Sequence, residues 1–341
     1  MRRSLLVTVA AATLVLSACG SADSSAPQPA ATPAASAVNV VATTTMLGDV
    51  VGQILSCAGG TVTVLMPAGT DPHDFSASSD QVAAMVTANL VVANGLGLEA
   101  GLTDAFENAA ADGAKVFEVG PLVDPIEFGA GAHEEGHEEE GHEEEGHEEE
   151  GHEEEGHEEE GHEHGSLDPH FWFDMNRMAL AAELIGAELA ESTGDGAYAT
   201  CATTTAANIR TAEAGVRTAL ESVPADQRIL VTDHEALGYL ADTYGYEIAG
   251  TVIPSGTTLA EPSSADLAAL VATIKAEGVT AIFANVAQTT GLAEAVAAET
   301  GTPIKIIPLY VESLGAPDSP AATYLQMMQT NADLIASGLK G

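Results

Sequence analysis

Eleven histidines occur in this 341-residue chain, and eight of them, His133 to His164, fall in one low-complexity tract. The other three stand alone. His73 and His170 each close an Asp-Pro-His triplet (Asp71-Pro72-His73 and Asp168-Pro169-His170), and His234 follows the apolar run Ile229-Leu230-Val231-Thr232 after a single aspartate, Asp233. Neutral imidazole is a good ligand for borderline cations such as zinc near neutral pH. A tight site needs three or four ligands that are distant in sequence and convergent in space, each ring oriented through its second nitrogen by a carboxylate or carbonyl. Proline restricts each preceding aspartate and stiffens the backbone ahead of the histidine. Asp71, Asp168 and Asp233 are placed either to orient the rings or to cap turns. Each histidine taken singly reads as structural, whereas the repeated triplet and a third histidine at a strand end raise joint ligation to an equal alternative.

The tract of residues 133–164 is built on the repeat Gly-His-Glu-Glu-Glu and holds 18 glutamates. A five-residue period turns successive histidines by about 140° on a helix, so they would spiral around it and make no face. Mutual repulsion of the glutamates and a glycine in every repeat argue against a packed element. The tract reads as a loop (130–166) inserted in the first half of the fold. It is either a loose pool of metal ligands or a solvated acidic linker, and the recurrence of histidine favours metal capture.

The elements that must position His73, His170 and His234 alternate between strand and helix. Strand-like runs lie at Val38–Thr44, Thr61–Met66 and Leu90–Ala93, with helices at Met46–Ser56 and over 78–88, the latter started by Ser78 or Ser79. After His234 a second series follows: strands Ile248–Ile253, Ala281–Ala284 and Ile304–Pro308, with helices Ser264–Glu277 and Leu292–Thr300. Such alternation predicts an α/β fold with mostly parallel sheets. Residues 38–196 form the expected first lobe, 197–223 a connecting helix, and 224–341 the second lobe, with a pair of shorter helices as the alternative for the connection. In α/β folds ligands bind where the carboxyl ends of strands meet. His73 and His234 each follow a strand, and His170 precedes a helix expected from Met175.

Lys and Arg total 10 against 51 Asp and Glu, and removing the 18 glutamates of the tract still leaves 33 acidic residues against 10 basic. That balance argues against nucleic acid as a partner, because phosphate binding needs clustered basic residues. It favours attraction of cations. Arg2 and Arg3 followed by the apolar stretch Leu5–Leu16 read as an export signal over 1–18, too short to remain as a membrane span. Residues 19–37, rich in Ser, Ala and Pro, read as a flexible tether. Leu16-Ser17-Ala18-Cys19 resembles the lipobox of bacterial lipoproteins, which implies lipidation of Cys19 and an extracytoplasmic protein anchored to the cell membrane. Cys57 and Cys201 then remain as an even pair in an oxidising compartment, read as a structural bridge with metal ligation as the rival.

A wider resemblance joins these observations. Met66-Pro67-Ala68-Gly69-Thr70-Asp71-Pro72-His73-Asp74-Phe75, Asn94-Gly95-Leu96-Gly97-Leu98-Glu99, Asp168-Pro169-His170-Phe171-Trp172-Phe173-Asp174, His234-Glu235-Ala236-Leu237-Gly238-Tyr239 and Glu261-Pro262-Ser263 stand in order along the chain. Together they resemble the metal-specific substrate-binding lipoproteins of bacterial ABC importers, the zinc-type ZnuA/TroA-like group, over about Val40 to Asn331. The resemblance implies two pseudo-symmetric α/β lobes joined by one long helix, with the metal in the cleft between them. It implies that His73, His170 and His234 bind the metal together with a carboxylate near the C-terminus, here Glu312. It further implies no catalysis, a membrane permease with its ATPase as partner, and a monomer. A histidine at the third position marks zinc in this family, where an acidic residue marks manganese. The chain departs from the pattern twice: Glu312 stands where the family more often has Asp, and Asn285 stands where many relatives are acidic.

The leading expectation is therefore a zinc-capturing binding lipoprotein with one tight site and weak additional binding by the tract. A manganese importer component and an extracytoplasmic metal buffer or adhesin are the alternatives. A zinc hydrolase with Glu312 as general base is a rival of another class, and it would need an open coordination position.

Overall fold

The computed structural model describes residues 38–129 and 167–340; the export segment, Cys19, the tether and the Gly-His-Glu tract lie outside the described residues. Short apolar runs form two parallel sheets. β1 (Asn39–Ala42), β2 (Thr61–Val64), β3 (Leu90–Ala93) and β4 (Val116–Glu118) assemble in the order β2-β1-β3-β4. β5 (Ile229–Thr232), β6 (Glu247–Thr251), β7 (Ala281–Asn285) and β8 (Lys305–Leu309) assemble in the order β6-β5-β7-β8, so the second half repeats the walk of the first. Every residue of β3 and of β7 is buried. Strands covered on both faces by helices read as continuous apolar runs, which is why these two carry no alternation.

The first sheet is flanked by α1 (Thr45–Ala58), α2 (Ser79–Thr87), α3 (Thr103–Ala111) and α4 (Met175–Thr193), and the second by α6 (Gly238–Tyr244), α7 (Ser264–Glu277), α8 (Gly291–Thr300) and α9 (Tyr324–Leu339). Between them runs α5 (Ala197–Glu221), 25 residues long. Local chemistry starts several of these helices. Thr44 accepts from Leu47 N at the head of α1, and Ser78/Gln81 and Ser263/Asp266 form reciprocal capping boxes for α2 and α7. Each such cap satisfies amide hydrogens that the first turn leaves without partners. The predicted strand Thr61–Met66 ends two residues early, but Leu65 N and Met66 N still bond the carbonyls of Ala42 and Thr43.

One continuous core runs through both halves, from Val40 and Leu90 through Trp172, Ile209 and Tyr239 to Phe283 and Tyr324, with smaller apolar clusters under α2/α3 and α7/α8. α4 and α5 meet at Gly186, where a Cβ would collide with Ala202. Cys57 and Cys201 are joined, Cα to Cα 5.8 Å, which fastens α1 to α5. Polar bonds reinforce the shared core: Tyr324 Oη donates to Trp172 O at 2.7 Å and Tyr239 Oη to Asp168 O at 2.8 Å. Opening the halves widely would return these fully buried rings to water, at about 1.5–3 kcal/mol for each large apolar side chain. The cleft is therefore built for small adjustments.

Candidate metal centre

The loops that leave the carboxyl ends of the strands meet between the two sheets. His73 arrives on the loop after β2, His234 one residue beyond Asp233 at the end of β5, and Glu312 three residues beyond β8. His170 precedes the short 3-10 turn Phe171–Phe173, whose exit residue Asp174 caps α4 by accepting from Asn176 N. These four side chains are buried, and one ligand atom from each lies within 4.8 Å of all the others. His73 Nε2, His234 Nε2 and His170 Nε2 stand 2.8, 3.0 and 3.7 Å from Glu312 Oε1. Those separations straddle the ~3.3 Å edge of a tetrahedron with bonds of about 2.0–2.1 Å. The imidazole centroids lie 5.3 to 5.8 Å apart and the rings are mutually tilted.

All four inward atoms, the three Nε2 and Glu312 Oε1, are buried without a hydrogen bond of acceptable geometry. Leaving one buried polar group unsatisfied costs about 1–3 kcal/mol. Four aimed at a common point constitute a cavity shaped for a cation.

The outward atoms are held. His170 Nδ1 is 2.7 Å from Asp168 Oδ1, which also accepts from His170 N, and His234 Nδ1 is 3.1 Å from Asp233 Oδ1, which also accepts from His234 N. These two aspartates both orient a ring and cap a turn. Asp71 does only the second: its Oδ1 accepts from His73 N at 2.9 Å, and its Oδ2 accepts from Thr258 Oγ1 at 2.6 Å and from Gln288 Nε2, both across the cleft. Glu312 is fixed by Asn285 Nδ2, which donates to Oε2 at 2.8 Å, and by its own strap. In that strap Tyr310 N donates to Asn331 Oδ1, Asn331 Nδ2 donates to Tyr310 O, and Trp172 Nε1 donates to Val311 O at 2.9 Å. Sequence reasoning singled out the four inward residues but not Trp172, Thr258, Gln288 or Asn331 as their supports. These act through contacts far apart in the chain and carry no local signature. Cys57 and Cys201 lie in their bridge and not at this centre.

Electrostatics follow from the burial. Burial alone would push the Glu312 carboxyl up, but the charge of His234 and the close approach of the His170, His234 and His73 imidazoles outweigh it and hold it well below the usual carboxylate range. Burial would pull both inner histidines down; Asp168 and Glu312 raise His170, and Glu312 and Asp233 raise His234 well above the ordinary value. Burial, and then the charge of Glu312, raise Asp71.

Access is from the His73 side. A cleft of about 250 Å³ is lined by His73, Leu96, Gly97, Phe128, Pro169 and Leu259, among others. Leu96 holds a left-handed φ of 57° on this rim, a conformation that costs a branched side chain on the order of 1 kcal/mol and marks a tightly determined loop. That loop is held by Glu99, buried, whose carboxylate accepts from Thr43 Oγ1, Asn94 N and Gly95 N. A larger cleft of about 520 Å³ runs along β6 and α7, and none of the four converging residues lines it. Among the described residues no helix is long and apolar enough to cross a membrane.

The chain is similar to known proteins in sequence and in fold. A manganese-binding lipoprotein, MntA, of Halalkalibacterium halodurans is 26% identical over 306 residues, covering 89% of this chain and 88% of that protein. The zinc-binding protein TroA of Treponema pallidum is 26% identical over 309 residues, 88% of each chain. The solved structure of that periplasmic zinc-binding protein superposes with a TM-score of 0.73 over 89% of this chain and 99% of its own, at 24% identity. A manganese-bound periplasmic metal-binding protein of Candidatus Liberibacter asiaticus superposes with a TM-score of 0.69 over the same shares, at 24% identity. The two-sheet α/β fold is thus common to a structure named for zinc binding and to one solved with manganese bound. The model of the family described as zinc-uptake complex component A, periplasmic (ZnuA), matches residues 40–338, and the chain belongs to that family.

Proposed function

We propose that this protein is the metal-capturing component of an ABC importer, that its cargo is zinc, and that His73, His170, His234 and Glu312 are the ligands. The observation that carries the reading is the convergence of three buried Nε2 atoms and one buried carboxylate oxygen, none satisfied by a hydrogen bond. Three nitrogens and one oxygen suit four-coordinate zinc, whereas manganese favours oxygen-rich, higher coordination. Four protein ligands also leave no open position for an activated water, so the protein is a carrier and not an enzyme. Because ligands come from both halves and the core is shared, a small movement of one loop suffices for release. The names of the lipoprotein relatives support anchorage at the outer face of a membrane and delivery to a permease with its ATPase; Cys19 is proposed as the anchor and a monomer as the delivering form.

A second reading, manganese as cargo, draws on the relatives from H. halodurans and Bacillus subtilis that are named for manganese. The test is metal analysis of protein purified without added ions, followed by competition between the two cations. One tightly held zinc per chain, lost on changing His170, His234 or Glu312 to Ala, is the expected result. Manganese retained in preference to zinc would establish the second reading.

A further inference from the structure

Asn285 ends β7 and is buried, as is Glu312. Its side-chain amide cannot turn over without loss: Oδ1 accepts from Ala287 N at 3.0 Å, so Nδ2 faces Glu312 and donates to Oε2 at 2.8 Å. Its backbone N donates to Asp233 Oδ2 at 2.8 Å, and the other oxygen of Asp233 lies 3.1 Å from His234 Nδ1. One residue at a strand end thus holds the rear of two candidate ligands.

The consequence for coordination is specific. A carboxylate can bind a cation through one oxygen or two. With Oε2 engaged by a neutral donor, only Oε1 is presented to the imidazoles, and the donor set stays at four. A free Oε2 would swing toward the ion and raise the coordination number, which suits manganese better than zinc. A second carboxylate at this position would be repelled by Glu312 and would give no such restraint. We infer that Asn285 is a specificity-determining positioning residue: its amide keeps Glu312 monodentate, keeps the site four-coordinate, and thereby favours zinc over manganese. This rests on the zinc reading above.

The test uses the full chain, the variants Asn285→Ala and Asn285→Asp, and less than one equivalent of metal. Asn285→Asp preserves shape and the Ala287 N acceptor while removing the donor, so it keeps the test valid if the alanine variant folds poorly. Co²⁺ reports geometry directly, since four-coordinate Co²⁺ absorbs far more strongly in the visible than five- or six-coordinate Co²⁺. The expected result is a strong Co²⁺ band in the wild-type protein that weakens in both variants. It is accompanied by a fall in the zinc-to-manganese affinity ratio of at least about tenfold, the lower end of what losing an outer partner of a ligand costs. A strong band and an unchanged ratio in a folded variant would overturn the role of Asn285 while leaving the zinc reading intact. A weak band and manganese preference in the wild-type protein would overturn both.

Discussion

The two walls of the cleft hold their candidate ligands differently. On the inner wall His170, His234 and Glu312 are each gripped from behind by one side chain: Asp168, Asp233 and Asn285. At the mouth, no hydrogen bond to His73 Nδ1 is found among the described residues, and only the backbone of His73 is tied, to an aspartate whose other oxygen answers to Thr258 and Gln288 of the opposite half. Each inner side chain is therefore oriented by a partner of its own half, while His73 is positioned only through a backbone bond to an aspartate that answers to the opposite half. That division suits a carrier, which must hold its ion tightly and still let go.

The largest effect separating the walls is expected from the ligands themselves. His170→Ala, His234→Ala and Glu312→Ala should each weaken zinc by more than the ~10–100-fold that loss of an outer partner costs. His73→Ala should cost less than any of them, measured by competition with a chromophoric chelator. Equal losses at all four positions would erase the distinction. One step out, Asp168→Ala and Asp233→Ala should each weaken zinc by about 10–100-fold. Asp71→Ala should change affinity less and dissociation rate more, as seen in stopped-flow release.

Acid sharpens the same contrast. In the ion-free protein His170 and His234 are raised, by Asp168, Asp233 and Glu312 against burial, and Glu312 is depressed chiefly by His234, against burial. Raised histidines give stability that is complete below ~6.5 and is lost as pH rises through their higher folded values. The depressed Glu312 gives stability above ~4.3 that is lost as pH falls through its low folded value. The ion-free inner wall is thus favoured at about pH 4.3–6.5, and a cation bound there must displace protons from it near neutrality. Proton release at pH 7 is expected in calorimetry across buffers of different ionisation enthalpy, with affinity falling from about pH 7.5 to about pH 5. Affinity unchanged over that interval would contradict this electrostatic picture. The smallest effect on binding is expected from Cys57→Ser with Cys201→Ser. The bridge closes a loop of sequence separation 144, so thermal stability should drop by up to about 5 kcal/mol on the chain-entropy account, with zinc affinity unchanged.

Much of this was legible in the residues because local chemistry leaves local marks. The strand runs of β3 and β7, the serine cap of α2, the Asp-Pro-His triplets and the histidine two residues past β5 are all short-range signals. β4, with three residues, and α6, with seven, are too short to carry a clear period, and α3 and α9 also went unmarked. The donation of Asn285 to Glu312 was illegible for a different reason. It depends on the register that pairs Asn285 with Leu309 and on a strap turned by Asn331, neither of which composition reveals. The departures from the family pattern at Asn285 and Glu312 were visible separately; only the structure joins them in one hydrogen bond.

The central claim is that a single cation sits among three imidazoles and one carboxylate oxygen. Zinc-edge X-ray absorption on the full chain loaded below one equivalent tests it most directly. The account predicts four nitrogen or oxygen neighbours at about 2.0–2.1 Å with the scattering signature of three imidazoles. Five or six light neighbours, or fewer than three imidazoles, would contradict it.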